Sequence, residues 1–252
     1  MIRNQFLIKF LGIARFQELR CALSSESKVS KTPSLGSAHV FLAVMLALLP
    51  AISGSLGSLP SDVDITTVLV GTAAVLAVMF RNRVQIPFLA VDNWKRSMHL
   101  VHTAFAIGCI PALLLVLFHP EALYLLSKPV QQDSPGVHTV IPWWLFVLQV
   151  SMWAGFTEEL IYRGLLVSVL RRWSALHTQP ARDLFAVTLS AFVFGLGHLS
   201  SWGPGMSMAL VGLGFGLGLA YLAIGERLLP VIIYHILFDA LSLSCALFSY
   251  RA

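Results

Sequence analysis

Charge is what this chain has least of. Asp, Glu, Lys and Arg together make up 12% of its 252 residues, about half the share found in a soluble domain, while 57% are hydrophobic. Such a composition leaves no sizeable soluble domain. The formal net charge of +5 is spread over loops and a tail, a distribution that suits orientation in a membrane and not nucleic-acid binding. Cysteine is equally sparse. Cys21, Cys109 and Cys245 are isolated and form no CxxC pair, which removes a disulfide framework and a cysteine-built metal site. An HExxH helix is missing, and no internal repeat relates the two halves of the chain.

What is present is apolar sequence in long runs. Segments near 38–53, 64–80, 99–118, 141–170, 183–201, 205–224 and 229–249 are mostly long enough to cross a bilayer at about 1.5 Å per residue. The expected fold is therefore all-α, a polytopic membrane helix bundle of about seven transmembrane helices. The loops test that count, because short cytoplasmic loops should be rich in Lys and Arg. Basic connections (Arg81, Arg83, Lys95 and Arg96; Arg171, Arg172 and Arg182; Arg227) alternate with connections that are not (Asp62 and Asp64; Glu121, Lys128 and Asp133; the turn at Pro204). The alternation places the N-terminus in the cytoplasm, and the short loops suit a bacterial inner membrane. Residues 1–37 read as a basic amphipathic tail and linker, with Arg3, Lys9, Arg15 and Arg20 beside an apolar face of Phe6, Phe10 and Ile13 that suits the membrane surface. Residues 38–252 form the transmembrane domain.

Within that domain one stretch needs explaining. Trp153 to Leu166 carries two carboxylates and a guanidinium inside an otherwise apolar helix, where ionisable groups are costly enough to suggest function. Glu159 and Arg163 are four residues apart and share a helix face, so the arginine can neutralise that carboxylate. Glu158 lies about 100° further round. It is expected to face no local cation, which makes it a candidate general base towards water. A structural ion pair, with Glu158 merely reaching the interface, accounts for the same residues equally well at this point.

Two later helices repeat the pattern of polar groups one turn apart. Phe194 and His198 share a face, as do His235 and Asp239, so that Asp239 could orient His235 or share a ligand with it. Either histidine alone would be read as a buried residue bonded to a carbonyl. Gly212, Gly214, Gly216 and Gly218 form two overlapping GxxxG pairs, a pattern of close helix packing.

Glu158-Glu159-x-x-x-Arg163, Phe194-x-x-x-His198 and His235-x-x-x-Asp239, in that order on successive helices, resemble the three motifs of the CPBP family. That family comprises the type II CAAX prenyl endopeptidases and the bacteriocin-immunity-like intramembrane proteases. The resemblance covers a catalytic core at about 141–250. It implies an intramembrane endopeptidase acting on a membrane-tethered protein or peptide, with Glu158 and His198 activating water. His235 and Asp239 would face the substrate carbonyl and stabilise its oxyanion, and Glu159, Arg163 and Phe194 would support them. Many members carry Asn at the position of Asp239, and an ionised Asp cannot donate the hydrogen bond that Asn can. No cofactor is favoured. Were zinc bound, His198, His235 and Glu158 would be its ligands. A proton-coupled transporter and a catalytically silent membrane scaffold are the competing functions.

Counted along straight helices, His235 lies roughly 9 Å deep and Glu158 roughly 20 Å. A single site therefore requires a break. The fourth span is expected to end near Arg163, with Gly164 to Arg172 turning along the interface, and Gly195, Gly197 and Gly203 are expected to loosen the fifth helix.

Overall fold

The structure is a computed structural model that describes residues 40–48 apart from 42 and 46, and residues 93–118, 142–173 and 178–251. Every element among them is helical. They are α1 (Trp94–Phe118), α2 (Trp143–Glu158), a π-helical segment (Glu159–Val167), α3 (Ser168–Arg171), α4 (Gln179–Gly197), α5 (Leu199–Ala223) and α6 (Leu228–Arg251). A further helical piece within 40–48 sets Val40, Ala43 and Ala47 into the common core.

Among the described residues three helices are long and apolar enough to cross a membrane, namely Gln179–Gly197, Trp202–Ala223 and Leu228–Cys245. They fall where the last three spans are expected. Of the other expected spans, 64–80 lies wholly and 38–53 partly outside the described residues, as does the tail at 1–37. The described residues thus support an integral membrane helix bundle with three candidate spans, and not the full count of seven.

The expected end of the fourth span at Arg163 is not found. The chain stays helical from Trp143 to Arg171, and the residues at both junctions with the π segment, Glu159 and Ser168, keep right-handed helical dihedrals. Gly164 does not break the run because the whole π segment is buried, including Leu165 and Leu166 at 0% exposure. That burial outweighs the roughly 1 kcal/mol a helical glycine costs. The wider π turn disturbs the regular ladder, and serines take up carbonyls beside it. Ser190 Oγ donates to the carbonyl of Tyr162 (2.9 Å) and Ser168 Oγ to that of Arg163 (3.4 Å).

The second expected interruption, at Gly197 and Gly203, is found. α4 ends at Gly197, His198 leaves the helix with φ −100° and ψ −2°, and α5 is bent at Gly203, where φ is +72° and ψ 173°. Pro204 disfavours helical geometry at the residue before it, and glycine adopts the positive φ without a Cβ penalty. At the other end of α5 the chain turns on Gly225, with φ +79°. There the Gly225 and Glu226 amides donate to the carbonyls of Leu222 and Tyr221, a Schellman cap. Arg171 closes this end of the bundle: it donates from Nε to Asp183 (2.6 Å) at the start of α4 and from Nη1 to Glu226 in the turn.

The glycine stripe of α5 serves two neighbours. Gly216 meets α1 so closely that a Cβ there would lie 2.6 Å from the carbonyl oxygen of Ala104 and 3.1 Å from the Cα of Gly108. Gly214 and Gly218, on the next face, pack against Phe194 and Val187 of α4. Since the obstruction at Gly216 is backbone, Gly216→Ala should force α1 and α5 apart and cost about 1–3 kcal/mol in a detergent unfolding titration. Gly205→Ala, where a Cβ meets nothing within 4 Å, is the control and should leave the midpoint unchanged.

Candidate active site

The innermost member of the polar cluster is Glu159, at 0% exposure. Its Oε1 accepts two hydrogen bonds, one from Arg163 Nη1 (2.7 Å) on its own helix and one from His235 Nδ1 (2.7 Å) on α6. Arg163 is itself held elsewhere. Nη2 donates to the carbonyl of Gly214 in α5 (3.1 Å), and the guanidinium carbon lies 5.0 Å from the centroid of the Phe194 ring. A charge buried this deeply is tolerated only with such partners, and a cation over an aromatic face adds to them.

Phe194 is the apolar hub of the cluster. Its ring centroid lies 4.7 Å from that of His198, 5.1 Å from Tyr162 and 6.4 Å from His235. The carbonyl of the same residue accepts a hydrogen bond from His198 Nδ1 at 2.8 Å. A carbonyl only accepts, so Nδ1 carries the proton and Nε2 is the nitrogen offered outward.

That nitrogen faces Glu158. His198 Nε2 is 3.6 Å from Glu158 Oε1, and His235 Nε2 is 3.8 Å from Glu158 Oε2 and 3.4 Å from Asp239 Oδ2. The sequence led us to expect no cation beside Glu158, yet an imidazole from each of two other parts of the chain flanks it. Separations of this kind are longer than a direct hydrogen bond and are suited to bridging by water. Exposure divides the cluster in two. Glu158, His198 and Asp239 are 20–25% exposed and reachable, whereas Glu159, Arg163 and His235 are at 8% or less.

All seven residues singled out in the sequence, Glu158, Glu159, Arg163, Phe194, His198, His235 and Asp239, meet in this one cluster. Sequence reasoning did not find the Gly214 carbonyl or the bond between Glu159 and His235. Neither has a local signal, because the partners are 51 and 76 residues apart on different helices. Among the described residues no group of three or more His, Cys, Asp or Glu side chains is arranged to hold a metal ion. In the set considered for zinc, the Nε2 atoms of His198 and His235 lie 3.6 and 3.8 Å from Glu158.

A largely apolar groove of about 590 Å³ is lined by Leu145, Leu148, Gln149, Met152, Trp153 and Phe156 of α2 and by Ile236 of α6. Two of its lining residues adjoin the cluster in sequence, Ile236 next to His235 and Phe156 two residues before Glu158.

Residues 140–241 match the family model for Rce1-like proteins, described as type II CAAX prenyl endopeptidase Rce1-like. Neither a curated protein nor a solved structure matches the chain.

Proposed function

We propose, from the match of residues 140–241 to the family model for Rce1-like type II CAAX prenyl endopeptidases, that the protein is an intramembrane endopeptidase cleaving a membrane-tethered protein or peptide by a glutamate-dependent mechanism. The observation that carries the mechanism is the position of Glu158 between the Nε2 atoms of His198 and His235. A water held by Glu158 and His198 loses a proton to the carboxylate as its oxygen attacks the scissile carbonyl carbon. His235 then donates from Nε2 to the oxyanion. It does so as an imidazolium, because its Nδ1 proton is already committed to Glu159. Asp239, 3.4 Å from the same nitrogen, balances that charge, so an ionised Asp has a part here without donating a hydrogen bond. The tetrahedral intermediate collapses, the C–N bond breaks, and the proton taken from water passes to the leaving amine. The products are a new carboxylate and a new amine.

The bilayer presents the substrate. Its apolar portion lies in the groove along α2, with the scissile bond beyond Phe156 and Ile236, and the basic end of the bundle at Arg171 and Arg172 faces the cytoplasm. Neither the transporter nor the scaffold reading has a family match in its favour.

The test is cleavage of a membrane-tethered peptide library by purified protein in detergent, with and without a chelator. Wild type should cleave regardless of chelator, and His198→Ala should lose about 10²–10⁴-fold in kcat/KM. Activity lost to the chelator and restored by zinc would replace the glutamate mechanism with a metal-dependent one. Absence of cleavage by wild type would remove the peptidase reading altogether.

A further inference from the structure

We propose that Glu159, anchored by Arg163, is the positioning residue for His235, fixing which imidazole nitrogen and which ring orientation the reaction meets. This deepens the peptidase reading and rests on it for its kinetic consequence. The pairing of His235 with Asp239 is the one that spacing on a single helix suggests. The geometry favours Glu159 instead. Asp239 lies 3.4 Å from Nε2, the nitrogen that must stay available to substrate, and is 25% exposed, so water competes for it. Glu159 lies 2.7 Å from Nδ1 and has no exposure at all.

A carboxylate only accepts, so the Glu159 contact requires a proton on Nδ1 and turns Nε2 towards Glu158 and Asp239. The position of the carboxylate is in turn set from outside α6. Arg163 Nη1 and His235 Nδ1 share the same oxygen, Oε1, while Oε2 finds no partner among the described residues. Arg163 is fixed in its turn by the Gly214 carbonyl and the Phe194 ring. Backbone of α5 thus holds a ring on α6 through two side chains of the π segment. This is the arrangement by which carboxylates orient working histidines elsewhere in protein chemistry.

The experiment uses the full chain in detergent micelles, labelled with nitrogen-15 in its histidines. The His235 signals are identified as those lost in His235→Gln. In wild type without substrate, His235 should show Nδ1 bearing a proton in every form it populates. Finding Nδ1 bare would overturn the proposal without any variant. In Glu159→Gln, the isosteric amide can accept from Nδ1–H or donate to a bare Nδ1, so the ring is no longer held to one tautomer and the nitrogen shifts of His235 should move towards mixed tautomers. At the same time kcat should fall about 10–100-fold with KM within about threefold of wild type. Unchanged His235 shifts in a folded Glu159→Gln protein would overturn the proposal, as would a loss confined to KM. The nitrogen spectra need no substrate. If wild type cleaves nothing while His235 responds to Glu159→Gln as described, the positioning role stands and the peptidase reading alone fails.

Discussion

Glu158→Gln should lower kcat/KM by about 10³–10⁴-fold while leaving the protein folded. The magnitude is that of a positioned general base removed from its reaction, at the upper end because among the described residues no other carboxylate lies within 4 Å of both histidines. Glu159 is committed to Arg163 and His235, and Asp239 approaches His235 alone among the two histidines. Folding should be spared for a separate reason. Glu158 makes no direct hydrogen bond to either histidine, at 3.6 and 3.8 Å, and is 23% exposed, so an amide of the same shape replaces it without leaving a buried group unpaired. Thermal unfolding in detergent should therefore move by no more than a degree or two, a surface-like effect. A Gln variant retaining more than about a tenth of wild-type activity would take the role of base away from Glu158. A variant that fails to fold would show that the residue holds the bundle together and that its exposure misleads.

The parts of this site legible in the sequence are those carried by spacing along one helix. Glu159 and Arg163, Phe194 and His198, and His235 and Asp239 are each four residues apart, and a helix repeat of 3.6 residues brings each pair to one face whatever the rest of the chain does. The GxxxG pairs of α5 are legible on the same ground, although which neighbour each face meets is not. What the sequence withholds is the contact between helices. Gly214 offers Arg163 a carbonyl, an atom every residue has, so composition carries no trace of it. The bond from His235 to Glu159 depends on the relative height of α6 and the π segment. That height follows from the turn at Gly225 and the grip of Arg171 on Asp183 and Glu226, none of which spacing can convey.

The same limit explains why, of the two interruptions expected, the one after Arg163 is absent and the one at Gly197 to Gly203 is present. Depth counting along straight helices correctly demands an interruption if Glu158, His198 and His235 are to meet. It has no means of choosing between Gly164, which packing holds in helix, and the stretch from Gly197 to Gly203, where proline removes the helical option. Local propensity at the two glycine sites is similar, and the tertiary surroundings decide.

Arg163→Met should produce the largest loss of stability, about 3–5 kcal/mol, as expected when one member of a buried ion pair is removed. The guanidinium is 1% exposed, and without it Glu159 keeps, among the described residues, only His235 as a partner for a charge from which water is excluded. The Gly214 carbonyl and the Phe194 ring lose their cation together. The cost belongs to the stranded charge and not to the pair as such, which gives a sharper expectation. Arg163→Met combined with Glu159→Met should recover to within about 1–2 kcal/mol of wild type, since an apolar pair of similar volume often serves as well as a buried ion pair. Unfolding titrations in detergent would decide the matter. Equal instability of the single and double variants would mean that packing around Phe194, and not charge, is what the arginine supplies. Recovery of stability should not bring recovery of cleavage, because His235 in the double variant has lost the carboxylate that holds its Nδ1. A protein that folds like wild type yet turns over 10–100-fold more slowly would separate what the buried pair does for the bundle from what it does for the reaction.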